Sequence, residues 1–179
     1  NRKKKLPYVT GKIAVSKNNL IYSKLDKKIT NTKADKFTHL LRYKNDSLMI
    51  SYKTLNNDNP KLNCRLNGVK KYSPKRIILD SKLNTNINSF IIKTANKSNT
   101  IIFYNKAVNS QILSFKKKGI NLIRSKIDNK GRFDIKIILK KLYKLNCRNL
   151  LVEGGDELTN YLLRNKIFNT FYLYKSDKK

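Results

Sequence analysis

The residues best equipped for chemistry gather at positions 149–158, which read Asn-Leu-Leu-Val-Glu-Gly-Gly-Asp-Glu-Leu. Leu150, Leu151 and Val152 form a short apolar run of the kind buried on both faces of a sheet, and Glu153 breaks it with a carboxylate. Gly154 and Gly155 permit a turn and the close approach of another backbone or a ligand. Asp156 is placed to cap a helix carrying Leu158, Tyr161, Leu162 and Leu163. A strand, a glycine turn and a helix N-terminus together make a seat for an anion. The same junction occurs in proteins that bind nothing there, so its meaning depends on the rest of the chain. Glu153 also has an ordinary structural reading, as a cap of the next helix.

The elements that must hold these groups alternate along the chain. Residues 6–15 read as a first strand, with Gly11 and Ala14 small enough to admit a ligand or a neighbouring backbone, and Asn18-Asn19 sits in the turn that follows. A return strand at Leu20-Ile21-Tyr22 and a helix capped by Thr30 or Asn31 come next. That helix buries Ala34, Phe37, Leu40 and Leu41 and leaves His39 on its wetter side. Strands are expected at 46–51, 76–80, 90–92, 100–104, 120–123, 149–152 and 171–174. Tyr52-Lys53-Thr54-Leu55 leads into a polar loop, and helices follow Asn109 and Asp134. Alternating strands and helices predict an α/β domain spanning 1–179, with a largely parallel central sheet and helices on both faces. Ligands of such sheets bind outside the carboxyl ends of the strands. Ser16, residues 51–54, Asp80-Ser81, Tyr104 and the Glu153 turn stand there. Neither a Gly-x-Gly-x-x-Gly fingerprint nor a P-loop is present.

Composition narrows the class further. The 179 residues suit one domain, and 39% hydrophobic residues suffice for a core. Two distant cysteines, Cys64 and Cys147, and the single His39 support neither a disulfide framework nor a metal site. The absence of a long apolar run predicts a cytoplasmic protein without a membrane anchor. A net charge of +30 suits polyanions, yet the lysines are scattered and accompany much Asn and Ile, as AT-rich coding drift would produce. Drift is the preferred reading, ahead of nucleic-acid binding.

Several spaced motifs then agree with one family. They are residues 7–16 (Pro-Tyr-Val-Thr-Gly-Lys-Ile-Ala-Val-Ser), Ile29-Thr30-Asn31, His39-Leu40-Leu41-Arg42 and Lys53-Thr54. Asp58-Asn59-Pro60-Lys61-Leu62 with Arg65, residues 76–81 and Val152-Glu153-Gly154-Gly155 follow in order. The chain resembles the reductase half of the bifunctional deaminase-reductase of riboflavin biosynthesis, from about Leu6 to Tyr174. The resemblance implies a dihydrofolate-reductase-like fold, NADPH as cofactor, a phosphoribosylaminouracil substrate and a homodimer. It implies substrate contacts at Arg42, Leu62, Arg65 and Glu153. It implies cofactor contacts at Ala14, Lys28, Thr54, Asp58 and Ser81, and at Gly155, Asp156, Glu157, Leu158, Thr159, Asn160 and Tyr161. No general acid is identified. Lys28 replaces a Trp common in the family, and Asp26 replaces a Ser. The deaminase zinc signature has no counterpart, so deamination would need a separate protein or a preceding segment. Two alternatives from other classes are a decayed, non-catalytic relic of this reductase and a basic RNA-binding protein.

Overall fold

The computed structural model describes residues 3–17 and 32–176. Strands β1 (Tyr8–Val15), β2 (Ser47–Ser51), β3 (Lys75–Leu79), β4 (Thr100–Tyr104), β5 (Asn121–Arg124), β6 (Asn149–Val152) and β7 (Thr170–Lys175) form a seven-stranded sheet in the order β5-β4-β3-β2-β6-β1-β7. Every strand pairing is parallel, as continuous apolar runs predict for strands covered on both faces. Helices α1 (Thr32–Lys44), α2 (Tyr52–Asp58), α3 (Phe90–Lys93), α4 (Asn109–Lys117), α5 (Ile135–Lys144) and α6 (Asp156–Arg164) cover it.

Alternation along each strand divides the interior into two clusters. Met49, Ile77, Ile101, Phe103, Leu150 and Val152 point to one face, where α5 contributes Ile135, Ile138, Leu139 and Leu142 and α6 contributes Leu162. Leu48, Ile50, Ile78, Ile102 and Leu151 point to the other, covered by Leu41 of α1, Leu55 of α2, Ile91 and Ile92 of α3 and Phe115 of α4. The two-faced α/β architecture read from the sequence is therefore present, with β6 an inner strand beside the central β2. Val152 is paired with Gly11 on one side and Met49 on the other. The residue after it, Glu153, leaves the strand at the sheet's carboxyl edge, two strands in from β7.

Four local expectations are corrected. Residues 90–92 form the short helix α3 instead of a strand, because β3 already has β2 and β4 as neighbours and no edge remains beside it. A three-residue apolar run cannot distinguish these outcomes by itself. Residues 52–58 are helical, not a lead into a loop: the Ser51 side chain accepts from the Thr54 N–H and Leu55 drives into the core at 0% exposure. The cap position of α6 is Gly155, and Asp156 lies in the first turn, where its charge still favours the helix. Gly11 makes room for aromatic rings instead of a ligand, since a Cβ there would lie 2.5 Å from Phe171 Cδ2 and 2.6 Å from Phe168 Cε1. The Asn18-Asn19 turn, the strand at Leu20, the caps Thr30 and Asn31, and the positions Asp26 and Lys28 lie outside the described residues.

Candidate active site

Arg42 and Glu153 come together from opposite parts of the chain. The last turn of α1 carries Arg42 over the sheet face to which Glu153 points. There the Arg42 Nε donates to Glu153 Oε1 and Nη2 to Oε2, each at 2.7 Å. A third N–H, on Nη1, reaches the Asn63 carbonyl at 3.2 Å. The side chains are only 10% and 13% exposed, so the pair is held in low dielectric. Burial opposes the charge on Arg42, but the hydrogen bonds and charge of Glu153 outweigh it and the guanidinium is held more firmly protonated than usual.

Two further groups join this pair, and neither stood out in the sequence as a site residue. Lys12, on β1, is half-buried with its Nζ 5.3 Å from the centre of the Tyr174 ring. Burial lowers its pKa, only partly opposed by the negative charge of Glu153, so its proton is more easily given up than that of a surface lysine. The Tyr174 hydroxyl is buried without a hydrogen-bond partner among the described residues. Burial, reinforced by Tyr172 and Glu153, pushes its pKa to about 12 and keeps it protonated. The available signal for Lys12 was a lysine inside a strand whose neighbours are all built for burial. Nothing local marked Tyr174, since its orphaned hydroxyl is a product of packing.

His39 was expected on the wetter side of α1 and is instead buried, at 8% exposure. Its Nδ1 accepts from the Arg65 N–H at 3.3 Å, and its pKa is lowered by burial and by the nearby Arg42 and Arg65 charges. The histidine thereby fixes the backbone that carries Arg65, whose exposed guanidinium makes one bond, to Asn63 Oδ1 at 3.3 Å. Leu62 is 2% exposed and belongs to the core, so the fold as it stands does not open it to a ligand.

On the other side of Glu153 the expected cofactor positions frame a cleft of about 710 Å³, within the roughly 300–1,000 Å³ usual for small-molecule sites. Ser81, Asp156, Glu157, Leu158, Asn160 and Tyr161 line it, and Ser51, Tyr52, Lys53, Phe133 and Arg132 complete much of its wall. Lys53 Nζ is bonded to Glu157 at 2.7 Å, which ties α2 to α6 across the cleft. Thr54 lies at the same junction, where a Cβ on Gly155 would come within 3.5 Å of its Oγ1. The glycine turn thus leaves a methyl-sized space between the starts of α2 and α6. Thr159 is buried and bonds back to the Gly154 carbonyl at 3.4 Å, a role inside the turn. Ala14 is half-buried on β1, and Asp58 is exposed at the end of α2; neither lines the cleft. Asp80 is also structural, at 0% exposure, with the Thr85 N–H and hydroxyl each donating to its Oδ2 at 2.7 Å.

The profile of the RibD C-terminal domain matches residues 9–176. The riboflavin biosynthesis protein RibD of Actinobacillus pleuropneumoniae is 31% identical over 176 residues, 97% of this chain and 46% of the relative. The 5-amino-6-(5-phosphoribosylamino)uracil reductase of Buchnera aphidicola is 26% identical, over 84% of this chain and 74% of its own length. Among solved structures, Acinetobacter baumannii RibD superposes with a TM-score of 0.82 at 19% identity, covering 98% of this chain and 47% of that one. The chain thus spans about half the length of the RibD proteins it matches. The superposition establishes the dihydrofolate-reductase-like fold.

Proposed function

Because the chain belongs to the RibD C-terminal domain family, we propose that it reduces 5-amino-6-(5-phosphoribosylamino)uracil to 5-amino-6-(5-phosphoribitylamino)uracil in riboflavin biosynthesis. Bound NADPH would supply the hydride, delivered to C1′ of the ring-opened sugar. The observation that supports this reading is the position of Glu153. It leaves the inner strand β6 paired with the buried Arg42 and near the half-buried Lys12, and the glycine turn after it leads into α6, whose first residues line the cleft.

In this assignment Glu153 accepts hydrogen bonds from a sugar hydroxyl or a pyrimidine N–H, and Arg42 holds the carboxylate in register. Arg65, exposed and anchored through its backbone by His39, is free to take the 5′-phosphate in a forked contact. Lys12, near Glu153 and more readily deprotonated than a surface lysine because of its burial, is assigned the proton for the opening sugar oxygen. Leu62, implied as a substrate contact by the resemblance, backs the substrate side from within the core. Thr54, Ser81, Ala14, Asp58, Lys28 and the run Gly155, Asp156, Glu157, Leu158, Thr159, Asn160 and Tyr161 serve the cofactor. The enzyme acts as a homodimer in the cytoplasm, and the preceding deamination is supplied by a separate deaminase or a deaminase segment.

The test is loss of nicotinamide absorbance when the protein meets NADPH and the ribosylaminouracil phosphate. A parallel reaction should contain the 2,5-diaminopyrimidinone counterpart named for the Saccharomyces cerevisiae relative. Turnover of the uracil substrate is expected. Stabilisation by NADPH without turnover of either compound would identify a relic, and absence of NADPH binding would overturn the reading. At a hundredfold excess over Kd, ligand binding should add about 2.7 kcal/mol to stability.

A further inference from the structure

The cleft contains a cation that the motif positions do not include. Arg132 lies on the turn between β5 and α5, and its guanidinium carbon sits 5.2 Å from the centre of the Tyr161 ring. The turn is tightly specified. Asp128 Oδ1 accepts from the N–H groups of Lys130 and Arg132, both at 2.9 Å, and Gly131 takes the left-handed conformation at φ 74°. Asp128 Oδ2 then accepts from Arg132 Nε at 3.1 Å and from Nη2 at 3.0 Å. Tyr161 is fixed in turn, its hydroxyl donating to the Phe133 carbonyl at 3.0 Å. The result is a guanidinium fixed between the Asp128 carboxylate and the Tyr161 ring, with Nη1 making no hydrogen bond among the described residues and its side chain 43% exposed.

Bulk charge cannot do the work of anion selection in this cleft. Lys53, Arg132 and Arg164 on its wall are balanced by Asp128, Asp156 and Glu157, although the chain as a whole carries +30. Lys53 is also committed to Glu157. A phosphate there depends on a directed donor. Tyr161 lies five residues beyond Asp156, about 7.5 Å along α6 at 1.5 Å per residue. Asp156, Arg132 and Tyr161 line one cleft, so a dinucleotide with its diphosphate at the start of α6 would bring its adenosine end to Arg132 and Tyr161.

We propose that Arg132 recognises the 2′-phosphate of the adenosine and makes the site selective for the phosphorylated dinucleotide. The inference rests on the reductase reading and specifies which residue reads its cofactor. Arg164, without an ion pair among the described residues, stands one turn further along α6 as a second, weaker attraction.

Dissociation constants of NADPH, NADH, 2′,5′-ADP and AMP should be measured by calorimetry for the wild type, Arg132→Gln and Arg132→Lys, with melting temperatures checked alongside. Loss of one charge-assisted contact should weaken NADPH and 2′,5′-ADP about tenfold or more and leave NADH and AMP within about threefold. Arg132→Lys should fall between, since it keeps the charge without the fork. Equal weakening of NADPH and NADH, or an unchanged NADPH affinity in a folded Arg132→Gln protein, would overturn the assignment alone. A wild type that binds neither dinucleotide would overturn the reductase reading with it.

Discussion

Removing the Glu153 carboxylate should unfold this protein more readily than removing any surface acid. Glu153→Ala leaves the Arg42 guanidinium in a pocket where its side chain is only 10% exposed, with two of its N–H groups stripped of their acceptors. Breaking a buried ion pair from one side costs roughly 3–5 kcal/mol, and the slight exposure of both partners favours the lower end, about 3 kcal/mol. For a chain of this length about 3 kcal/mol lowers the melting temperature by roughly 6–12 °C. Arg42→Met should cost a comparable amount by orphaning the carboxylate. The double variant Arg42→Met/Glu153→Leu, with neither charge left, should return to within about 1 kcal/mol of the wild type. With Glu153→Leu as the matching single variant, the cycle would then show a coupling of roughly 3 kcal/mol or more between residues separated by 111 positions. Thermal melts followed by circular dichroism, with and without NADPH, measure both effects. A single Glu153→Ala variant melting within about 2 °C of the wild type, or additive losses in the double variant, would refute the reasoning. Glu153→Ala alone is therefore a poor test of catalysis, because loss of activity would follow from loss of fold. The rescued double variant is the better one: it should be stable and inactive.

Lys12→Met should cut kcat about a hundredfold or more while raising the melting temperature at neutral pH. Burial lowers the folded pKa of Lys12 below the ordinary 10.5, so the wild type gains stability as pH rises through the folded value toward 10.5 and the advantage of Met should shrink there; an unchanged kcat would remove Lys12 from the chemistry. His39 has a folded pKa below its ordinary 6.5, so stability should be lost as pH falls below 6.5, when protonation of Nδ1 removes the acceptor for the Arg65 N–H. The same melts on His39→Asn should show a smaller loss, and equal acid sensitivity would sink that assignment. Gly11→Ala forces a Cβ to 2.5 Å from the Phe171 ring and should destabilise by about 1–3 kcal/mol in denaturant melts without changing NADPH affinity in the folded protein.

The strands were legible because a strand covered on both faces must be apolar along its whole length, and Ile77-Ile78 or Leu150-Leu151 announce that without help from distant residues. The cap at Asp134 and the stripe of α5 are similarly local, set by groups within a few turns. The glycine turn after Glu153 was visible for the same reason. Residues 90–92 show the limit. Whether three apolar residues pair with a neighbour or coil onto it depends on whether an edge is free, and the order of the other strands decides that. His39 looked wet by helical spacing and became buried because the segment leading to Arg65 packs over it.

The sequence by itself determined the kinds of group available: an α/β sheet, a carboxylate at the end of a central strand, glycines behind it, and guanidinium groups elsewhere. Only the tertiary structure decided their partners. Arg42 and Glu153 each read as a free ligand contact, and folding spends them on one another. Lys12 and Tyr174 acquire their chemistry from burial that no local pattern records. Arg132 becomes a fixed donor because a turn between β5 and α5 lands on a ring of α6. Periodicity and capping are energies of neighbours along the chain. Desolvation and ion pairing are energies of neighbours in space, and those exist only once the sheet has closed.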